Sequence, residues 1–317
     1  MSAQARDVTP IKGIRYYYPP DDAVLVFKDG TARIPYDGLP IPLLQEDCTG
    51  MEGAPSYDMV GRGIYHALRS NPDCTFCEYY AGLLRDAYPH FLAELGTHAI
   101  MLDSKDVEVP YLDRKITSLK ILALLEPGNP GLPLEIGRAF LDKGLRMSAL
   151  HLSTVSLYRA EHFLRRALLL APDNLHALRY LGETCYLLGK YADAASLWSA
   201  LVTATDADQD QALRARLDQV IAGTLPLIPP VDYLEAIGVA LAKFQSGEFD
   251  EAAAIIQDVM ADQVFAADFI MPDIHVVLGR CYAEMNMPRY AEEEYLRALE
   301  LDPANDEARA QLHRLTA

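Results

Sequence analysis

Residues 180–198 read YLGETCYLLGKYADAASLW. Leu181 and Gly182 are followed by an aromatic at Tyr186, then by Gly189, Tyr191, Ala194 and Trp198. Apolar residues recur at helical spacing and are interrupted at Gly189, so the stretch predicts two short antiparallel helices joined by a tight turn. Small residues, Gly182 and Ala194, stand where the two backbones must approach. Trp198, Leu178 and Leu201 are the large side chains that fill the space between layers. One such hairpin cannot bury its own apolar face, so neighbours must stack on it.

The same pattern recurs along the chain. At an offset of about 34 residues, Ala160 meets Ala194, Leu164 meets Trp198, Ala167 meets Leu201 and Pro172 meets Asp206. A third copy, QSGEFDEAAAIIQDVM (245–260), carries Gly247, Phe249, Ala252, Ile256 and Val259 in matching places. The fourth, LGRCYAEMNMPRYAEEEYLRALELDP (278–303), repeats Leu278, Gly279, Tyr282, Ala291, Tyr295, Ala298 and Pro303. Ala194 and Ala252 lie 58 residues apart, and Ala252 and Ala291 lie 39 apart, so extra segments of 24 and 5 residues interrupt the array without destroying its phase. An earlier frame starts at Pro130, with Ile136-Gly137, Phe140 at the aromatic place and Gly144 at the turn. Its second helix arrives 11 residues late, which predicts one lengthened helix over MSALHLSTVSLYRAEHFLRRALLL (147–170).

These residues resemble the tetratricopeptide repeat, closely over about 130–305 and more loosely from about 80. The resemblance implies an all-α fold, a right-handed α-solenoid of helical hairpins. AELGTHAIML (93–102) with YLDRKITSLKILALLEP (111–127) predicts a further, degenerate pair, and DEARAQLHRL (306–315) a capping helix over the last repeat. The chain is thus expected to divide into 1–57, 58–129, 130–208, 209–232, 233–305 and 306–317.

Two segments fall outside the repeat. DADQDQALRARLDQVIAG (206–223) predicts a helix with Leu213, Leu217, Val220 and Ile221 on one face, and TLPLIPPVD (224–232) an extended connector, either a hinge or, as its apolar character favours, a closely packed link. At the N-terminus, DDAVLVFKDGTARIPYDG (21–38) has β-branched runs around Asp29-Gly30, a strong hairpin signal. So short a segment makes a poor core alone and is expected to dock on the first helices.

The chain has 317 residues, half of them apolar, with a formal charge of −17. That supports a large core. It speaks against nucleic-acid binding and against attachment to an anionic membrane, since both need a basic surface. No apolar run is long enough to span a bilayer, and MSAQARDVTP lacks the basic-then-apolar pattern of a secretory signal. Five cysteines, an odd number, suit a reducing compartment, and the cytoplasm is the expected location. No cofactor is implied.

Catalytic patterns are missing: there is no GxSxG, no HExxH and no phosphate loop GxxxxGK[ST]. Cys74-Thr75-Phe76-Cys77 is a CxxC that suits a metal or a dithiol, with Cys48, His66, His90 and His98 as further ligand candidates. The same stretch also reads as a helix start with packed thiols. The better candidate is the wall formed by the first helix of each hairpin. The tetratricopeptide resemblance implies that positions 2, 5, 9, 12 and 13 of the unit face a groove. This selects Leu134, Arg138 and Leu141, then His176, Arg179, Glu183 and Tyr186. It further selects Leu234, Ile237, Leu241 and Phe244, and finally Asp273, Val276, Arg280 and Glu284. An apolar middle flanked by arginines suits a protein or peptide partner, with guanidinium groups taking a carboxylate or a backbone carbonyl. The expected function is a non-enzymatic scaffold or adaptor. The alternatives are a metal or thiol-redox protein using Cys74 and Cys77, or a self-assembling homo-oligomer.

Overall fold

A computed structural model of the chain describes residues 7–27, 30, 33–91, 93–95, 97, 108–204 and 211–316. It forms two compact units, 1–136 and 137–317.

In the first unit, β1 (Ile14–Tyr17) pairs antiparallel with β4 (Ile41–Leu44), and β2 (Val24–Val26) with β3 (Arg33–Pro35). The β2–β3 pair is the hairpin expected from the sequence. Asp29 of its turn lies outside the described residues, while the Gly30 N–H donates to the Phe27 carbonyl at 2.8 Å. The β1–β4 pair was not anticipated. Neither pair has a core of its own. Leu25, Tyr36, Ile41 and Leu43 are buried with Ile64 and Leu68 of α1 (Tyr57–Ser70) and Tyr80 and Leu84 of α2 (Cys77–Ala87). The Tyr80 hydroxyl donates to the Pro40 carbonyl at 2.7 Å, and the Tyr88 hydroxyl to that of Tyr57 at 2.7 Å. The segment therefore docks on the first helices. α3 (Val109–Leu125) packs on α2. Most of the predicted partner helix over 93–102 lies outside the described residues.

The second unit is a stack of helical hairpins. The boundary between the units falls inside α4 (Gly131–Leu145), the first helix of hairpin 1, whose second helix is α5 (Ser153–Leu170). Hairpin 2 is α6 (Leu175–Leu187) and α7 (Tyr191–Ala204). After α8 (Gln211–Ile221), hairpin 3 is α9 (Pro230–Gln245) and α10 (Phe249–Met260). After the short α11 (Gln263–Asp268), hairpin 4 is α12 (Pro272–Glu284) and α13 (Pro288–Leu301), followed by the cap α14 (Asp306–Thr316).

Glycine is needed where the two helices of a hairpin cross. A Cβ on Gly182 would sit 2.3 Å from Trp198 Nε1, and one on Gly279 2.5 Å from the ring of Tyr295. In hairpin 1 the equivalent Gly137 meets Leu164 at 2.6 Å. Its partner comes later in sequence by the 11 residues seen as a delay in the repeat. Those residues do not give one continuous helix: six residues, Met147–Leu152, form a separate 3₁₀ segment, and Ser153 starts a new helix of 18 residues with its hydroxyl donating to the Gly144 carbonyl at 2.6 Å. Gly144 itself is not at a turn. It is buried within α4, where a Cβ would sit 3.3 Å from Leu157.

The turn inside each of hairpins 2, 3 and 4 is built the same way. Gly189, Gly247 and Asn286 all adopt left-handed backbone, with φ of 72°, 82° and 57°. The next residue donates back five positions: Lys190 to Cys185, Glu248 to Lys243 and Met287 to Tyr282, at 2.8, 3.0 and 2.9 Å. This is the Schellman closure, which satisfies carbonyls left open at the helix end.

Candidate functional site

The structure separates the predicted wall residues into two groups. Leu234, Ile237, Val276 and Tyr186 are no more than 2% exposed. Leu141 is also buried. These side chains hold the stack together and do not line an open surface. Their spacing puts them on the first helices as expected, but the chain's own segments cover them. His176 is exposed, with its ring 6.5 Å from that of Tyr180, and Arg138, Arg179, Leu241, Phe244 and Arg280 are half-buried. Arg280 is engaged internally, its guanidinium 4.6 Å from the Phe244 ring and 3.1 Å from Glu307 of the cap.

What covers Tyr186 is the pair of segments that break the repeat. The 24-residue extra segment supplies α8, and the 5-residue one α11. Arg216 of α8 lies over the Tyr186 ring at 5.1 Å, and Asp268 of α11 accepts the Tyr186 hydroxyl. Arg216 and Asp268 stand 3.9 Å apart. Burial, reinforced by the bond to Asp268, pushes the Tyr186 phenol far above its ordinary range. The third extra segment behaves alike. The 3₁₀ segment rests on α9, where a Cβ on Gly238 would meet the His151 backbone nitrogen at 2.6 Å, and Glu235 accepts the Thr154 N–H at 2.9 Å.

Clefts remain on this wall among the described residues. Beside Leu241, a cleft of about 550 Å³ is lined by Met147, His151 and Ala242. Between α6, α8 and α11 lies one of about 460 Å³. Arg179, Glu183, Trp198, Arg216 and Asp268 line it, with Ala212 and Ala215 keeping its α8 side low. Glu183 is half-buried, and burial raises its carboxyl against the opposing pull of Arg216 and Arg179. Arg216 and Asp268 escaped the repeat rule because they lie in the extra segments. The signal available was the length of those segments, which must fold onto some face of the stack.

The connector between α8 and α9 is fixed by one carboxylate. Asp262 caps α11, accepting from Val264 and Phe265 N–H at 3.0 and 3.1 Å, and also accepts the Leu227 N–H at 2.7 Å and the Tyr233 hydroxyl at 2.8 Å. Burial alone would raise this carboxyl, but the four donors hold it below its usual value. The connector is less closely packed than expected. Pro226 and Pro230 are buried, yet Leu227 is 86% exposed. Ile221, expected on the packed face of α8, is 68% exposed, while Leu213, Leu217 and Val220 are buried.

In the first unit, Cys74 is buried and Cys77 half-buried at the start of α2. Burial, with the neighbouring Cys77, pushes the Cys74 thiol up to about 11, and burial raises Cys77 as well. Raised thiols favour the protonated form over the thiolate that metal binding or redox exchange requires. Cys48 donates to the Leu44 carbonyl at 3.4 Å, and the His90 ring lies 4.3 Å from that of Phe91. His66 is exposed, and His98 lies outside the described residues. Among the described residues no three His, Cys, Asp or Glu side chains are grouped to hold a metal. The metal or redox alternative finds no support. No helix among the described residues is long and apolar enough to cross a membrane.

No protein-family model matches the chain, and no curated protein matches it. Among solved structures it is similar to residues 41 onward of MamA from Desulfovibrio magneticus RS-1, at 17% identity, covering 62% of this chain and 88% of that one with a TM-score of 0.28. It is similar to YrrB, described as a TPR protein with an unusual peptide-binding site, at 16% identity over 77% of this chain and 98% of that one, TM-score 0.28. It is also similar to the TPR domain of P58(IPK), at 16% identity over 82% and 73% of the two chains, TM-score 0.34. The tetratricopeptide-like character of the stack stands on its crossings, turns and period.

Proposed function

We propose that this chain is a non-enzymatic scaffold or adaptor that binds a protein or peptide partner on the wall made by the first helices of its hairpins, and that it works in the cytoplasm. The observation that carries the reading is the cleft of about 460 Å³ between α6, α8 and α11, where Arg179 and Glu183 stand one helical turn apart beside apolar wall. A partner in extended conformation presents carbonyls and side chains alternately, and one donor and one acceptor a turn apart suit such an occupant. The self-covered part of the wall confines binding to the clefts.

The test is recovery of partners from native extract by the parent protein and by Arg179→Ala. Partners held by the parent and lost by the variant, at unchanged melting temperature, support the reading. Equal recovery removes the cleft from the interface. Arg280→Ala is a less direct probe, because Arg280 also ties Phe244 to Glu307. Light scattering on the same sample tests self-assembly, in which case the partner is a second copy.

A further inference from the structure

We propose that the outer stripe of α1 binds an acidic segment of a protein partner, taking its carboxylates on Arg62, His66 and Arg69. The site lies in the first unit and is independent of the wall of hairpins.

Helical spacing divides α1 into two faces. Val60, Ile64, Ala67 and Leu68 are buried in the core of the unit. Arg62, Tyr65, His66, Arg69 and Ser70 follow the i, i+3, i+4, i+7, i+8 pattern of one face. With Leu44 at the end of β4 they line a cleft of about 490 Å³. The stripe stands on rigid elements, because α1 lies directly on β4: a Cβ on Gly63 would collide with the Pro42 carbonyl oxygen. The chain has 45 Asp and Glu against 28 Lys and Arg, yet among the described residues no carboxylate lines this cleft.

The cations there keep donors to spare. Arg62 uses one nitrogen on Asp47, at 3.0 Å, out of the five N–H groups of a guanidinium. Arg69 lies over the Tyr65 ring at 5.3 Å and makes a long contact of 3.5 Å to its hydroxyl, which itself donates to Glu94 at 2.7 Å. Arg69 thus has no carboxylate partner among the described residues, and His66 is exposed. Arg62 and Arg69 stand seven residues apart, about 10 Å along the helix. Alternate side chains of an extended segment point the same way at about 7 Å intervals, a spacing that two long arginine side chains can bridge. The overall charge of −17 opposes an acidic partner. At physiological salt, however, charges beyond about 8 Å are largely screened, so the groups in contact decide the outcome.

The experiment uses the full chain and three end-blocked, dansyl-labelled octapeptides that alternate alanine with glutamate, with glutamine or with arginine. Fluorescence anisotropy at about 0.15 M salt is expected to show the glutamate peptide binding at least about tenfold more tightly than the glutamine one. Arg69→Gln and His66→Gln together should erase that preference at unchanged melting temperature. Arg85→Gln, a change at an exposed arginine of α2, should keep it, as should Arg179→Ala on the wall of hairpins. On adding the glutamate peptide, the Hε1 proton of His66, assigned with the Gln variant, should shift in NMR spectra of the parent. An unmoved His66 signal overturns the inference, whatever the variants do. A preference that survives the double variant overturns it, as do equal binding of the glutamate and glutamine peptides, tighter binding of the arginine peptide, or no binding. Loss of the preference in Arg179→Ala overturns it too, while leaving the reading of the hairpin wall intact.

Discussion

The hydroxyl of Tyr186, on the first helix of hairpin 2, donates to the carboxylate of Asp268, on a helix that follows hairpin 3. Arg216 closes over the ring from the other extra helix. A residue that the repeat places on an open wall has become the meeting point of the two segments that break the repeat. Tyr186→Phe should therefore destabilise the protein by about 1–3 kcal/mol, since it leaves a nearly buried carboxylate short of a donor. Adding Asp268→Asn should cost less than the sum of the two single changes, as read by urea unfolding in a double-mutant cycle.

The hairpin crossings predict opposite signs for one kind of substitution. Gly279→Ala puts a methyl 2.5 Å from the Tyr295 ring and should lower stability by about 1–3 kcal/mol, the usual cost of overpacking. Gly82→Ala, on α2 with nothing within 4 Å of the new carbon, should raise it by about 0.5–1 kcal/mol through helix propensity. Thermal melts of the two variants check both. A stable Gly279→Ala protein would count against the crossing.

The turns isolate backbone conformation from packing. Gly247 has open space around its missing side chain, so Gly247→Ala should cost about 1–2 kcal/mol purely through its left-handed φ of 82°. Asn286 adopts the same conformation less comfortably, and Asn286→Gly should be neutral or stabilising by up to about 1 kcal/mol. Denaturant midpoints at constant slope decide this.

Asp262 gives an acid-sensitive contribution. Its carboxyl titrates below its unfolded value of about 3.9. The stabilisation it provides is present in full above that unfolded value. It is lost as pH falls through the folded one. Asp262→Asn should cost about 1–3 kcal/mol near neutrality and flatten the fall in stability below about pH 4. Melting temperatures from pH 3 to 7 for parent and variant provide the check.

The repeat was legible because its physics is local. Gly182 against Trp198, the turn at Gly189 and the buried Ala194 each follow from residue size at fixed spacing. The hairpin at β2–β3 was legible for the same reason, while the β1–β4 pair, with 23 residues between its strands, carries no turn signal that joins them. The wall was only partly legible. Arg179 and Glu183 do line a cleft. Leu234, Ile237 and Val276 are core side chains, because the position rule assumes an array without extra segments and this chain has three. Where α8, α11 and the 3₁₀ segment come to rest depends on contacts far apart in sequence, such as Arg216 with Tyr186 and Gly238 with His151.

A string of hairpins joined only to their neighbours can peel open from either end, one layer at a time. Here a single bond spans 82 residues, from position 186 to position 268, and fastens hairpin 2 to the helix that follows hairpin 3. The middle of the string should accordingly let go as one block, with amide exchange in α6, α9 and α10 governed by a shared opening event rather than by three separate ones.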